Sequence, residues 1–153
     1  MASIKNPSSD LYERDYYEWL QDQARALRDH RIEDVDWENV AEEIEGLSNS
    51  ERRAIESQLA RLAAHLLKLQ YMHGLSRDYN ARGWRLSVRS ARFAINKLLR
   101  QSPSLRPRLP EMLPDAYYTG RLMALRDPEL PEEELPELCP WTVEQLTDDT
   151  FLP

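Results

Sequence analysis

The sequence predicts an all-α protein: a single-domain helical bundle built on a long central helix or helix pair, with a proline-rich C-terminal strap. Three observations lead there. Apolar residues recur at spacings of three and four instead of alternating. Glycine is rare, at four positions in 153 residues. The prolines gather after residue 100, so the breakers lie mostly outside the periodic segments.

Residues 1–9 read as a disordered lead, and residues 10–153 as one helical domain. Ser9 or Asp10 can cap a first helix running to about Asp29, with Tyr12, Tyr16, Trp19, Leu20, Ala24 and Leu27 as its apolar face. Its aromatic cluster reads as packing against the next helix, the alternative being a stacking platform for bases or a ligand. His30 to Val35 is a short polar connection.

The organising stretch is Asp36 to Met72. Trp37, Val40, Ala41, Ile44 and Leu47 recur at helical spacing, and Ile55, Leu59, Leu62, Leu66 and Leu69 continue nearly in phase. Asp36 is placed to cap its start. In its middle, Gly46-Leu47-Ser48-Asn49-Ser50 is poor helix interior and Ser48 to Glu51 fits a capping box, so a break or kink is expected there.

His73 to Asn80 reads as a loop. A third helix follows over about Ala81 to Gln101, burying Trp84, Val88, Ala91, Ile95 and Leu98 and stopped at Ser102-Pro103. Pro107, Pro110 and Pro114 leave room for a short turn before a helix from Asp115 to Arg126. In DPELPEEELPELCP the prolines forbid regular helix, while the leucines can clip an extended strap to the body. Thr142 to Gln145 is a second capping box, opening a final turn over Val143 to Asp148, and Phe151 and Leu152 form a terminal apolar plug.

Charge is segregated along the chain. The formal net charge is -7, yet residues 30–56 hold nine acidic and three basic side chains, 77–108 nine basic and one acidic, and 127–150 nine acidic and no basic. Arg85, Arg89 and Arg92 share one strip of the third helix. Matching of that strip inside the fold, by carboxylates of the second helix and the strap, competes with an exposed anion or RNA site; overall acidity argues against nucleic acid.

Other chemistry is sparse. Glu42, Glu43 and Glu45 with His65 are the one cluster resembling a metal-ligand set, but at about 100° per residue the three glutamates point apart, and no metal or cofactor is called for. His65 on the apolar face reads as a core imidazole bonded to Glu45, a tyrosine or backbone, the sharper alternative being a general base near Arg89 or Arg92. Cys139 is single and reads as a small apolar plug, which with the lack of a signal peptide or long apolar run points to the cytoplasm. No nucleophile elbow and no phosphate-binding glycine loop is present.

The succession DWENVAEEIEGL, ERRAIESQLARLAAHLLKLQY, GWRLSVRSARFAI, SPSL, DAYYTGRLMAL and CPWTVEQLTDDTFLP resembles the domain of unknown function 29 family from about Tyr12 to Pro153. The resemblance implies an all-helical domain in a bacterial cytoplasm and brings no activity or catalytic residue with it. The leading expectation is therefore a small helical interaction or regulatory protein with no catalytic activity of its own, acting on an unknown protein partner or as a homo-oligomer without membrane attachment. In that reading Arg85, Arg89 and Arg92 pair with Glu42, Glu43 or Glu45. A metal-assisted hydrolase-like bundle using His65 and the glutamates, and anion or RNA binding by the arginines, are the alternatives.

Overall fold

The computed structural model describes residues 7–153, with side chains from Asp10 onward. Its elements are helical: α1 (Pro7–Arg14), α2 (Tyr16–Arg28), α3 (Trp37–Tyr71), α4 (Gly74–Gln101), α5 (Leu109–Ala124) and α6 (Val143–Thr147), with 3-10 turns at Ile32–Asp34, Pro103–Arg108 and Glu132–Glu134. Among the described residues there is no strand. The expected lead over residues 1–9 falls outside the described residues up to Asn6, and helix has begun by Pro7. The chain divides into two compact units, the first ending at Ser50 and the second spanning Glu51–Pro153.

In the first unit the single helix expected from Ser9 to Asp29 is interrupted at Asp15. This residue leaves helical geometry and accepts the Glu18 N–H on its carboxylate, 3.0 Å away, so it caps α2. The buried face of α2 is Trp19, Gln23 and Ala26, while Leu27 is exposed. Gln23 is placed there by polar pairing: its carbonyl oxygen accepts the Asp36 N–H at 2.7 Å and its amide donates to the Asp34 carbonyl. One side chain thereby fixes the backbone that leads into α3 at Asp34 and Asp36.

The break expected near Gly46 is absent, because α3 is continuous from Trp37 to Tyr71. An exposed interior glycine costs a helix only about 1 kcal/mol, less than nucleating a new helix beside strong helix formers. Glu51 is not in a capping box either, since its carboxylate accepts the Ser102 hydroxyl at 2.7 Å. The apolar positions of the first half of α3 are largely uncovered, with Trp37 57%, Ile44 61% and Leu47 70% exposed.

The second unit holds the main core. Ile55, Leu59, Leu62, Leu66 and Leu69 of α3 meet Trp84, Val88, Ala91, Ile95 and Leu99 of α4 and Met112, Ala116 and Tyr117 of α5. Helix α4 starts at Gly74, earlier than the expected Ala81, so the supposed loop at His73 to Asn80 shrinks to the residues just after Tyr71. Gly74 at the turn has a φ of 73°, a left-handed conformation that favours glycine. Helix α5 likewise starts early and runs through Pro114, which forfeits only one ladder bond near the amino-terminal end. Beyond it Leu130, Leu135, Trp141 and Leu146 return to the core, whereas Leu138 stays exposed. Thr142 and Gln145 complete a capping box at α6.

Two glycines separate the effects of space and propensity. A Cβ on Gly120 of α5 would collide with the Ala60 carbonyl oxygen and lie 2.9 Å from Ala63 Cβ, because α3 and α5 approach closely there; Gly46 has nothing within 4 Å. Gly120→Ala is expected to destabilise by about 1–3 kcal/mol through overpacking, and Gly46→Ala to stabilise by about 0.5–1 kcal/mol. Urea unfolding of the two variants checks the opposite signs.

Candidate functional site

The arginines of α4 do not act as one set. Arg92 turns inward and is 1% exposed. Its Nε donates to the Leu146 carbonyl at 2.9 Å, Nη1 to that of Phe151 at 2.6 Å, and Nη2 to that of Gln145 at 3.4 Å. The guanidinium carbon lies 5.8 Å from the centre of the Phe151 ring. Burial pushes the Arg92 pKa down, while Asp148 and Asp149 pull it up. Arg92 thus anchors the C-terminal segment through backbone carbonyls, in place of the expected carboxylate partner.

Arg82, Arg85 and Arg89 are exposed, and with Arg92 they line a groove of about 360 Å³ whose other walls include Leu86, Leu152 and Asp149. Among the described residues no carboxylate lies within ion-pair distance of any of these arginines. The groove is therefore cationic at its rim and partly apolar in its walls. That combination can receive a carboxylate or phosphate beside an apolar group.

In the first unit Glu43 is held by two phenols: Tyr12 Oη donates to Oε1 at 2.7 Å and Tyr16 Oη to Oε2 at 2.6 Å. The rings form one cluster, Tyr12 lying edge-on to Trp19 at 4.7 Å and Tyr16 stacked on Trp19 at 6.1 Å. Both hydroxyl bonds favour the ionised carboxylate and lower the Glu43 pKa, Tyr16 first. In return the hydrogen bond to Glu43, then burial, pushes the Tyr12 pKa up to about 12, and the same causes raise Tyr16. Glu42 and Glu45 are exposed. Each charged group of the expected arginine–glutamate pairing thus either finds its partners within its own unit or stands in solvent.

His65 departs from expectation too. Its Nδ1 is buried with no hydrogen-bond partner, where a bond to Glu45, a tyrosine or backbone was expected. Burial, with the positive charges of Lys68 and Arg61, pushes its pKa down to about 4, so the ring is neutral at neutral pH and tolerates the missing bond better than a cation would. Lys68 is itself tied up, 3.4 Å from Asp127 and 5.7 Å from the centre of the Trp84 ring. His65 does not line the arginine groove, and no group of three or more His, Cys, Asp or Glu side chains converges among the described residues.

A family model described as "Domain of unknown function DUF29" matches residues 11–152. The chain belongs to this family. No curated protein and no solved structure matches it. The DUF29 match spans both the Tyr12–Glu43 cluster and the arginine groove, so both lie within the family's domain. No described helix is long and apolar enough to cross a membrane.

Sequence reasoning missed the inward turn of Arg92 and the double phenol grip on Glu43. A signal existed for the first, since Arg92 lies four residues after Val88 and one after Ala91, inside the buried arc of α4. For the second, Tyr12 and Tyr16 are four apart, which on the single helix expected from the sequence puts them on one face; in the structure they come from α1 and α2 on either side of Asp15 and still reach the same carboxylate.

Arg92→Met would leave three carbonyls without their charged donor and is expected to cost about 3 kcal/mol or more, with Arg92→Lys recovering part of it. Unfolding curves, combined with earlier proteolytic cleavage in residues 141–153, check this. For the phenol cluster, Glu43 has a lowered folded pKa, so its contribution is present above the ordinary glutamate range and is lost as pH falls through the folded value. Tyr12 has a raised one, so its contribution is present below the ordinary tyrosine pKa and is lost as pH rises through about 12. Ultraviolet titration should show Tyr12 ionising near that upper limit beside Tyr117, which burial also pushes up to about 12, and Glu43→Gln should return Tyr12 but not Tyr117 toward the ordinary value.

Proposed function

We propose that this protein is a helical interaction module whose docking place is the arginine groove of α4 and whose partner presents an acidic, partly apolar protein surface. The observation that carries this reading is the exposure of Arg82, Arg85 and Arg89 around one groove with no carboxylate in ion-pair range among the described residues. Guanidinium groups recognise carboxylates and phosphates alike, so the choice between them rests on the surroundings. Leu86 and Leu152 in the walls favour a protein surface. The nine acidic and no basic side chains of residues 127–150, in the same unit, oppose a long polyanion such as RNA. A cytoplasmic bacterial setting fits the free thiol of Cys139.

A fluorescein-labelled peptide of interspersed glutamate and leucine serves as probe in fluorescence anisotropy. Binding at low salt is expected to weaken with added salt, and to fall about tenfold in Arg85→Glu/Arg89→Glu, the scale set by two exposed ion pairs. Indifference of the peptide to both changes would overturn the reading. Tighter binding of a single-stranded RNA of equal charge would replace it with the nucleic-acid alternative.

A further inference from the structure

The amino-terminal half of α3 and the outer face of α4 carry complementary patterns at the same spacing. On α3, Trp37 and Ile44 are seven residues apart and 57% and 61% exposed, with exposed Ala41 between them. Glu38 and Glu45, also exposed and seven apart, flank that line on one side. On α4, Leu86 and Phe93 are seven apart and 55% and 64% exposed, flanked by Arg82, Arg85 and Arg89, of which Arg82 and Arg89 are again seven apart. Seven residues advance a helix by about 10.5 Å and return to nearly the same face, so each pattern is a short apolar seam with a charged border. Among the described residues, none of Glu38, Glu45, Arg82, Arg85 and Arg89 has an ion-pair partner.

Handedness decides whether the borders can meet. At about 100° per residue, the glutamates of α3 lie on the advancing side of their seam and the arginines of α4 on the trailing side of theirs. For two right-handed helices packed seam to seam and pointing the same way, those sides coincide. Trp37 and Ile44 would then cover Leu86 and Phe93, while Glu38 and Glu45 reach the guanidinium groups.

We infer that the occupant of the arginine groove is a second copy of this chain, which lays the Trp37/Ile44 face of its α3 parallel to α4 and pairs Glu38 and Glu45 with Arg82, Arg85 and Arg89. This rests on the docking place proposed above and names its partner. Charge complementarity selects the second copy: the chain bears both an acidic apolar helix face and its basic counterpart, uncovered and in matching register.

The test is a charge exchange, read by light scattering on size-exclusion chromatography at low and high salt. One variant carries Glu38→Arg and Glu45→Arg, the other Arg85→Glu and Arg89→Glu; all four positions are exposed, and Arg92 is left intact. The unaltered chain is expected at twice its monomer mass at low salt, with a blue-shifted tryptophan emission that Trp37→Phe removes. Each variant alone is expected at monomer mass, because like charges then face each other. An equimolar mixture is expected to regain the doubled mass, since the contacts at positions 85 and 89 become opposite in sign again while Arg82 alone keeps its charge. An unaltered chain that stays monomeric, or a dimer that neither variant disturbs, overturns the inference. If the monomeric chain still binds the glutamate–leucine peptide through Arg85 and Arg89, only the second copy falls; if it binds neither, the docking place falls with it.

Discussion

The second unit depends on a buried cation. The Arg92 guanidinium sits among apolar side chains and would be prohibitive to bury alone, so the backbone around it must supply acceptors. The carbonyls of Gln145, Leu146 and Phe151 do so, which forces the last turn of chain to wrap the middle of α4. Leu146 and Trp141 enter the core on the same segment, so polar and apolar contacts enforce one placement. The groove bordered by Arg82, Arg85 and Arg89 exists because that wrap puts Leu152 and Asp149 beside α4.

The first unit is held differently. Its small apolar interior centres on Trp19, whose indole Nε1 is buried without a hydrogen-bond partner, and its specificity comes from polar grips. Gln23 bridges to the Asp34 and Asp36 backbone, and Glu43 takes both phenols. A unit with so few buried apolar residues leaves the other side of α3 bare, and that is why Trp37 and Ile44 face solvent.

The helical class and the core stripe from Ile55 to Leu69 were legible in the sequence because an amphipathic period records directly which side meets the interior. The same period misled at Trp37, Ile44 and Leu47, since periodicity reports an apolar face and not what covers it. Local breakers were overvalued at Gly46, where the surrounding helix formers prevail, and at Pro114, where position near a helix start makes proline tolerable. At Asp15 the reverse happened: a short polar residue competes for the backbone and ends a helix in the middle of an aromatic run. For the site, the segregation of charge was visible, and the place of Arg92 inside the buried arc of α4 set it apart from Arg85 and Arg89. What receives its charge was not legible, because the acceptors lie more than fifty residues away in the chain.

The contact of Gly120 with Ala60 and Ala63 bears on how this fold can diversify. A side chain at Gly120 would press on the backbone of α3 at Ala60, which no rotamer change can relieve, so enlargement there needs a shift of the whole helix. Across DUF29 sequences, position 120 should stay glycine wherever α3 and α5 keep this approach, and position 63 should stay small beside it, whereas the outer faces of α3 and α4 are free to vary with whatever they meet.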